Sequence, residues 1–233
     1  MPVRVVAAIF IGQSPREDLV EELAALLPED VELRQVGALD PVEPEQIPPL
    51  APDAAYPLTT QLEDTTPVIV DERWITPYLQ SAVDRAHTEG AGLGVILCAA
   101  PFASVRSTMP LVRPFEVARE HVARLGARRL LVVVPAGDQV EAARAKWSAT
   151  GASVEVLVAR LAEGVEPVVE AAAESEVDAV VLDFVGHPPD VVLELEDALE
   201  AETDAHLVDL GRVAAQRVAD LAAEDPASGG SGG

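Results

Sequence analysis

The chain has 233 residues, 49% of them apolar, and a formal charge of −24. That apolar share supports a substantial core and argues against intrinsic disorder, and no apolar run approaches the ~20 residues of a membrane span. A field this negative repels nucleic acid and anionic membrane surfaces, and no basic stripe offsets it, so neither is expected as a partner.

Strand and helix patterns alternate along the chain. Residues 3–11 read as a strand and 15–27 as a helix carrying Leu19, Val20, Leu23, Leu26 and Leu27 at helical spacing. A strand at 31–36 follows. The segment 40–71 interrupts the alternation with seven of the nineteen prolines, as expected of a long ordered loop or lid. Within it, 56–62 and 68–70 can pair as a hairpin across Asp64-Thr65-Thr66. A helix at 72–87 leads to the apolar run Val95-Ile96-Leu97, closed by Cys98. The rest reads as helix 115–125, strand 130–134, helix 139–149, strand 154–159, helix 165–173, strand 177–185, helix 191–199, strand 206–208 and helix 213–222. Such alternation predicts an α/β fold with mainly parallel sheets covered by helices. Two pseudo-symmetric lobes are expected: 1–109 plus 205–225, including the insertion 40–71, and 110–204. Residues 226–233 read as a flexible tail or linker. Met1-Pro2-Val3-Arg4 enters a strand without a signal pattern. The lone cysteine excludes an internal disulfide, which fits a cytoplasmic setting.

The chemistry-bearing residues gather at strand ends. Cys98 lies at the carboxyl end of a strand, where open α/β sheets place ligands; the plainer reading is a small core hydrophobe. Asp183 and His187 flank the equivalent strand end of the second lobe and are candidates for the same cleft. Gly12-Gln13-Ser14-Pro15-Arg16-Glu17 joins the first strand to the first helix. Ser14 and Glu17 read as a capping box with Pro15 at the first helical position. The glycine turn, the helix N-terminus and the Arg16 guanidinium together also suit a carboxylate or phosphate seat, formed by Gly12, Gln13, Ser14 and Arg16. His87, His121, His187 and His206 share no ligand spacing, so no metal is expected, and no cofactor fingerprint occurs. Lys146-Trp147 reads as a packed indole beside a solvated lysine.

The segments Ile11-Gly12-Gln13-Ser14-Pro15-Arg16, Val36-Gly37-Ala38-Leu39-Asp40, Tyr56-Pro57-Leu58, Val95-Ile96-Leu97-Cys98, Val134-Pro135 with Gln139, Lys146-Trp147 and Leu182-Asp183-Phe184-Val185-Gly186, in that order, resemble the AroM family. That family is similar to the aspartate/glutamate racemase superfamily. The resemblance implies two facing α/β lobes and an interlobe cleft for a small carboxylate. In the superfamily two cysteines work from opposite sides, one removing and one delivering the proton alpha to a carboxylate. Cys98 matches the first cysteine; Phe184 stands at the second position, and Ala99 and Ala100 replace polar neighbours. Three readings follow from the resemblance: Cys98 acts alone as an isomerase, racemase or decarboxylase thiol; His187 replaces the missing thiol; or the cleft binds a carboxylate without catalysis. A homodimer stays open.

Overall fold

The computed structural model describes residues 4–51, 54 and 56–224; the expected tail at 226–233 lies outside them. Ten strands and seven α-helices follow in chain order: β1 Val5–Phe10, α1 Glu17–Leu26, β2 Glu32–Gly37, β3 Pro57–Gln61, β4 Pro67–Asp71, α2 Glu72–Thr88, β5 Leu93–Ile96, β6 Leu111–Val112, α3 Pro114–Leu125, β7 Arg129–Val134, α4 Val140–Ser148, β8 Ser153–Val158, α5 Glu166–Ser175, β9 Ala179–Leu182, α6 Pro189–Glu202, β10 His206–Asp209 and α7 Leu210–Ala223.

Two four-stranded sheets carry the fold, ordered β2-β1-β5-β6 and β8-β7-β9-β10, with every pairing in them parallel. The orders superimpose strand for strand, so pseudo-symmetry is present in the hydrogen bonding itself. The expected boundaries at 109/110 and 204/205 are not those of the sheets, however: β6 pairs with β5 in the first sheet, and β10 pairs with β9 in the second. Strand alternation explains the layering, because successive side chains leave opposite faces. From β1, Val6, Ala8 and Phe10 enter a central core shared with Leu130, Val132 and Val134 of β7. Ala7 and Ile9 face the other way, against Ile75 and Leu79 of α2. Leu131 and Val133 of β7 likewise turn outward onto Val168 of α5 and Leu195 of α6. Strands buried on both faces read as continuous Val/Ile/Leu/Ala runs. The helices α3 and α7, each following the last strand of its half, pack against one another.

Within 40–71, β3 and β4 form the expected antiparallel hairpin, from Pro57 opposite Asp71 to Gln61 opposite Pro67. It is pinned to the β1–α1 loop. Gln13 donates from its backbone to Gln61 O (3.2 Å), and its side-chain Oε1 accepts from Glu63 N (2.9 Å). Gly12 makes the close approach feasible: a Cβ there would run into Thr60 Oγ1 and the Gln61 carbonyl. The hairpin thus forms a wall over the strand ends.

Helix α1 begins later than the sequence suggests. Arg16 occupies its N-cap without a side-chain capping bond, so the Ser14–Glu17 capping box does not form. Ser14 instead binds Asp40 through its N–H (2.8 Å) and hydroxyl (3.1 Å), while Glu17 accepts from Gln35 Nε2 (2.8 Å). The long-range partners outcompete the local box.

Candidate functional site

Parallel pairing brings the carboxyl ends of β5 and β9 to equivalent places. Ile9 is in register with Ile96 and Val133 with Leu182. The next N–H of each strand repeats the match: Leu97 N donates to Ile9 O and Asp183 N to Val133 O, both at 2.9 Å. Leu97 and Asp183 are therefore counterparts, and so are Cys98 and Phe184. The ring of Phe184 holds the place that pseudo-symmetry would give to a second Cys98.

Between these ends and β3 lies a cavity of about 250 Å³. Phe10, Leu19, Pro57, Leu58, Phe184 and Val185 form much of an apolar wall, and its polar groups include Arg16, Tyr56, Thr60, Cys98, Gln139 and Asp183. Cys98 is half-buried there. Burial is the main influence on its thiol and pushes it up to about 11; thiolate contacts with the Ala100 N–H and the nearby Lys146 charge oppose this only in part. The Tyr56 phenol is also pushed up, first by burial and then by Asp183, Cys98 and Glu72. At neutral pH both groups carry their protons.

Asp183 contributes a carboxylate to the wall, but its Oδ1 accepts from Lys146 Nζ at 2.7 Å. The two side chains are only 4% and 3% exposed, so the expectation of a solvated lysine is wrong. Lys146 comes off the last turn of α4, where the neighbouring Trp147 packs edge-on against Phe115 at 5.1 Å. The ammonium points inward, to the Asp183 carboxylate and the Ala99 carbonyl.

The other expected site residues separate into two groups. Arg16 reaches the cavity wall, yet its fork is already paired with Asp18, Nε to Oδ1 at 2.8 Å and Nη2 to Oδ2 at 2.6 Å. With its amide oxygen turned inward, Gln61 accepts from the same two nitrogens at 2.9 and 2.8 Å. Gly12, Gln13 and Ser14 are not among the cavity lining. Gln13 Nε2 donates to the carbonyls of Leu39 and Val42, each at 3.1 Å, and the seat beside α1 is filled by Asp40. Its carboxylate accepts from Ser14, from Gly37 N (2.8 Å) and from Arg85 Nη2 (3.0 Å). The anion that the GQSPR turn attracts is the protein's own.

His187 lies in a separate small cavity beside Asp209, Glu22 and Pro189. Leu19, Leu97 and Val185 line both cavities and separate them. Burial lowers the imidazole to about 4, keeping it neutral, and its Nε2 is buried without a partner. Its ring packs edge-on against Phe184 at 5.3 Å. The structure brings Cys98 and Asp183 together and leaves His187 behind the wall.

A family model described as AroM protein matches residues 6–225. The chain belongs to the AroM family. The search of curated proteins found no match. Among solved structures, unliganded arylmalonate decarboxylase superimposes with a TM-score of 0.61 at 16% identity, over 98% of this chain and 94% of that one. An aspartate racemase homologue from Pyrococcus horikoshii OT3 gives 0.59 at 16% identity, over 95% and 100%. The maleate isomerase Iso from Pseudomonas putida S16 gives 0.55 at 13% identity, over 92% and 90%. At these identities the likeness shows the fold alone, an aspartate racemase-like α/β fold shared with the decarboxylase and the isomerase.

Tyr56, Thr60, Gln139 and Lys146 are the cavity or near-cavity residues that sequence reasoning did not single out for chemistry. All four sit in family-like segments or in the hairpin, but only the fold brings the hairpin over the strand ends. For Lys146 one signal was present: it is the sole lysine in a chain that otherwise uses arginine. Among the described residues no group of three or more His, Cys, Asp or Glu is placed to hold a metal ion. No helix among them is long and apolar enough to cross a membrane.

Proposed function

We propose that this AroM family member binds a small carboxylate carrying an apolar substituent, and that Cys98 delivers a proton to its alpha carbon in a decarboxylase- or isomerase-type reaction. The observation that carries the reading is a single thiol, held protonated in the cavity, opposite a phenyl ring rather than a second acid/base group. A thiol pushed up to about 11 is almost wholly protonated at neutral pH, so it holds a proton to deliver and little thiolate to remove one. Two-base racemisation lacks its second partner.

For a malonate-type substrate the step balances simply. Loss of CO2 leaves the bonding electrons on an enediolate; the S–H proton goes to the alpha carbon, and water reprotonates the thiolate. The apolar wall would favour the step by removing water from the departing carboxylate. The neutral donors Tyr56, Thr60 and Gln139 are available for the charge that develops on the remaining one. Asp183 stays paired with Lys146 and takes no proton in this scheme.

The test is turnover of phenylmalonate in D2O, with phenylacetate, aspartate and maleate run alongside. The expected result is one deuterium at the alpha carbon of phenylacetate formed from phenylmalonate, with Cys98→Ser slowing the step by about 100-fold or more, the usual scale of a lost general acid. Binding of these acids with no exchange or CO2 release would favour a non-catalytic carboxylate-binding protein instead.

A further inference from the structure

The buried ammonium of Lys146 calls for a reason beyond stability. Its Nζ donates to Asp183 Oδ1 at 2.7 Å and to the Ala99 carbonyl at 2.8 Å, and lies 5.0 Å from the centre of the Phe115 ring. An ion pair withdrawn from water gains little over well-packed apolar residues, because desolvation offsets the attraction. Of the sixteen lysine and arginine residues this is the only lysine. Its compact ammonium has three rotatable donors, and two of them are used on acceptors from the two halves. The two groups it joins are the residue after Cys98, beyond β5, and the residue before Phe184, beyond β9. One side chain thus ties the strand ends of the two halves across the cavity.

The electrostatic consequence is specific. Asp183 lines the cavity, and its side chain is 3% exposed, so solvent does little to screen it. Left alone, it would repel a carboxylate approaching Cys98. We infer that Lys146 is a positioning residue of the site: it cancels the charge of Asp183 at the cavity wall and locks the Cys98 and Phe184 loops together, so that an anion can reach the thiol. The inference rests on the carboxylate reading of the cavity, but its test does not require the substrate.

The probes are two alkylating reagents of nearly equal size, anionic iodoacetate and neutral iodoacetamide, reacting with the lone Cys98 at pH 9 and followed by intact mass. Their rate ratio reports the potential at the thiol, because changes in thiolate fraction or loop order affect both reagents alike. Lys146→Met should lower the ratio at least fivefold, since a poorly screened charge in the same cavity wall as the thiol acts strongly on an ion. Asp183→Asn should raise it, and the double variant should return it to within about twofold of the parent. The opposite sign in Asp183→Asn keeps the test readable if Lys146→Met does not fold. An unchanged ratio in both single variants would overturn the inference, leaving Lys146 a packing residue. Absence of turnover in the parent protein would defeat the proposed reaction while leaving this ratio test intact.

Discussion

Asp40 holds the turn after β2 by gathering donors from three separate elements. Ser14 gives it an N–H and a hydroxyl, Gly37 an N–H, and Arg85 a guanidinium nitrogen. Gly37 must be glycine here, because a Cβ would meet the Asp40 carboxylate, the Gly12 carbonyl and Ser14 N. Asp40→Ala would leave these donors without their acceptor. The expected loss is about 1–3 kcal/mol of unfolding free energy, read by urea denaturation, with Asp40→Asn intermediate. The sequence suggests a seat for a ligand's anion at Gly12, Gln13, Ser14 and Arg16; of these, Ser14 alone binds Asp40, a carboxylate 26 residues further along the chain. Local spacing cannot reveal such a partner. Cys98 was legible because strand ends collect function in this kind of fold. Lys146 was not, because helical position alone does not say which way a long side chain turns.

At the scale of elements, the loop after β9 and the start of α7 hold a pair of opposed titrations. Asp209 caps α7, its Oδ1 accepting from Arg212 N at 2.7 Å, while its Oδ2 is buried without a partner. Burial raises this carboxyl to about 6 and lowers His187 to about 4. A raised carboxyl keeps its proton in the folded state after the unfolded chain has lost it, so its contribution falls as pH rises from about 4 to 6. The lowered imidazole works the other way, losing stability as pH falls from about 6.5 to 4. The slopes oppose each other in one window, each amounting to roughly 3 kcal/mol at its limit. Asp209→Asn should therefore expose a stability that declines on acidification, and His187→Asn one that declines on raising the pH. Melting curves from pH 4 to 7 would show it; parallel profiles for the two variants would disprove it. Most elements were visible from their apolar periods, and the hairpin from its turn. The two-residue β6 was missed, being too short for any period. The late start of α1 was missed because Ser14 serves Asp40 rather than its own helix.

For the whole molecule, the informative relation is between the two sheets. Equal strand orders place Cys98 and Phe184 as counterparts, so the departure from a two-thiol site is a property of the architecture as well as of the sequence. The α/β class was readable from alternation because parallel strands buried on both faces leave continuous apolar runs. The cavity was not, since it exists only where the hairpin meets the ends of two distant strands. The proposed proton donation rests on one property of the thiol, that it stays protonated in an apolar wall whose one carboxylate among the described residues, Asp183, is paired with Lys146. With a single cysteine in the chain, thiolate absorbance at 240 nm, taken against pH as the difference between the parent and Cys98→Ser so that tyrosine ionisation cancels, tests this directly. The predicted midpoint is about 11; a midpoint at or below the ordinary thiol value of ~8.5 would make Cys98 a base or nucleophile and contradict the account.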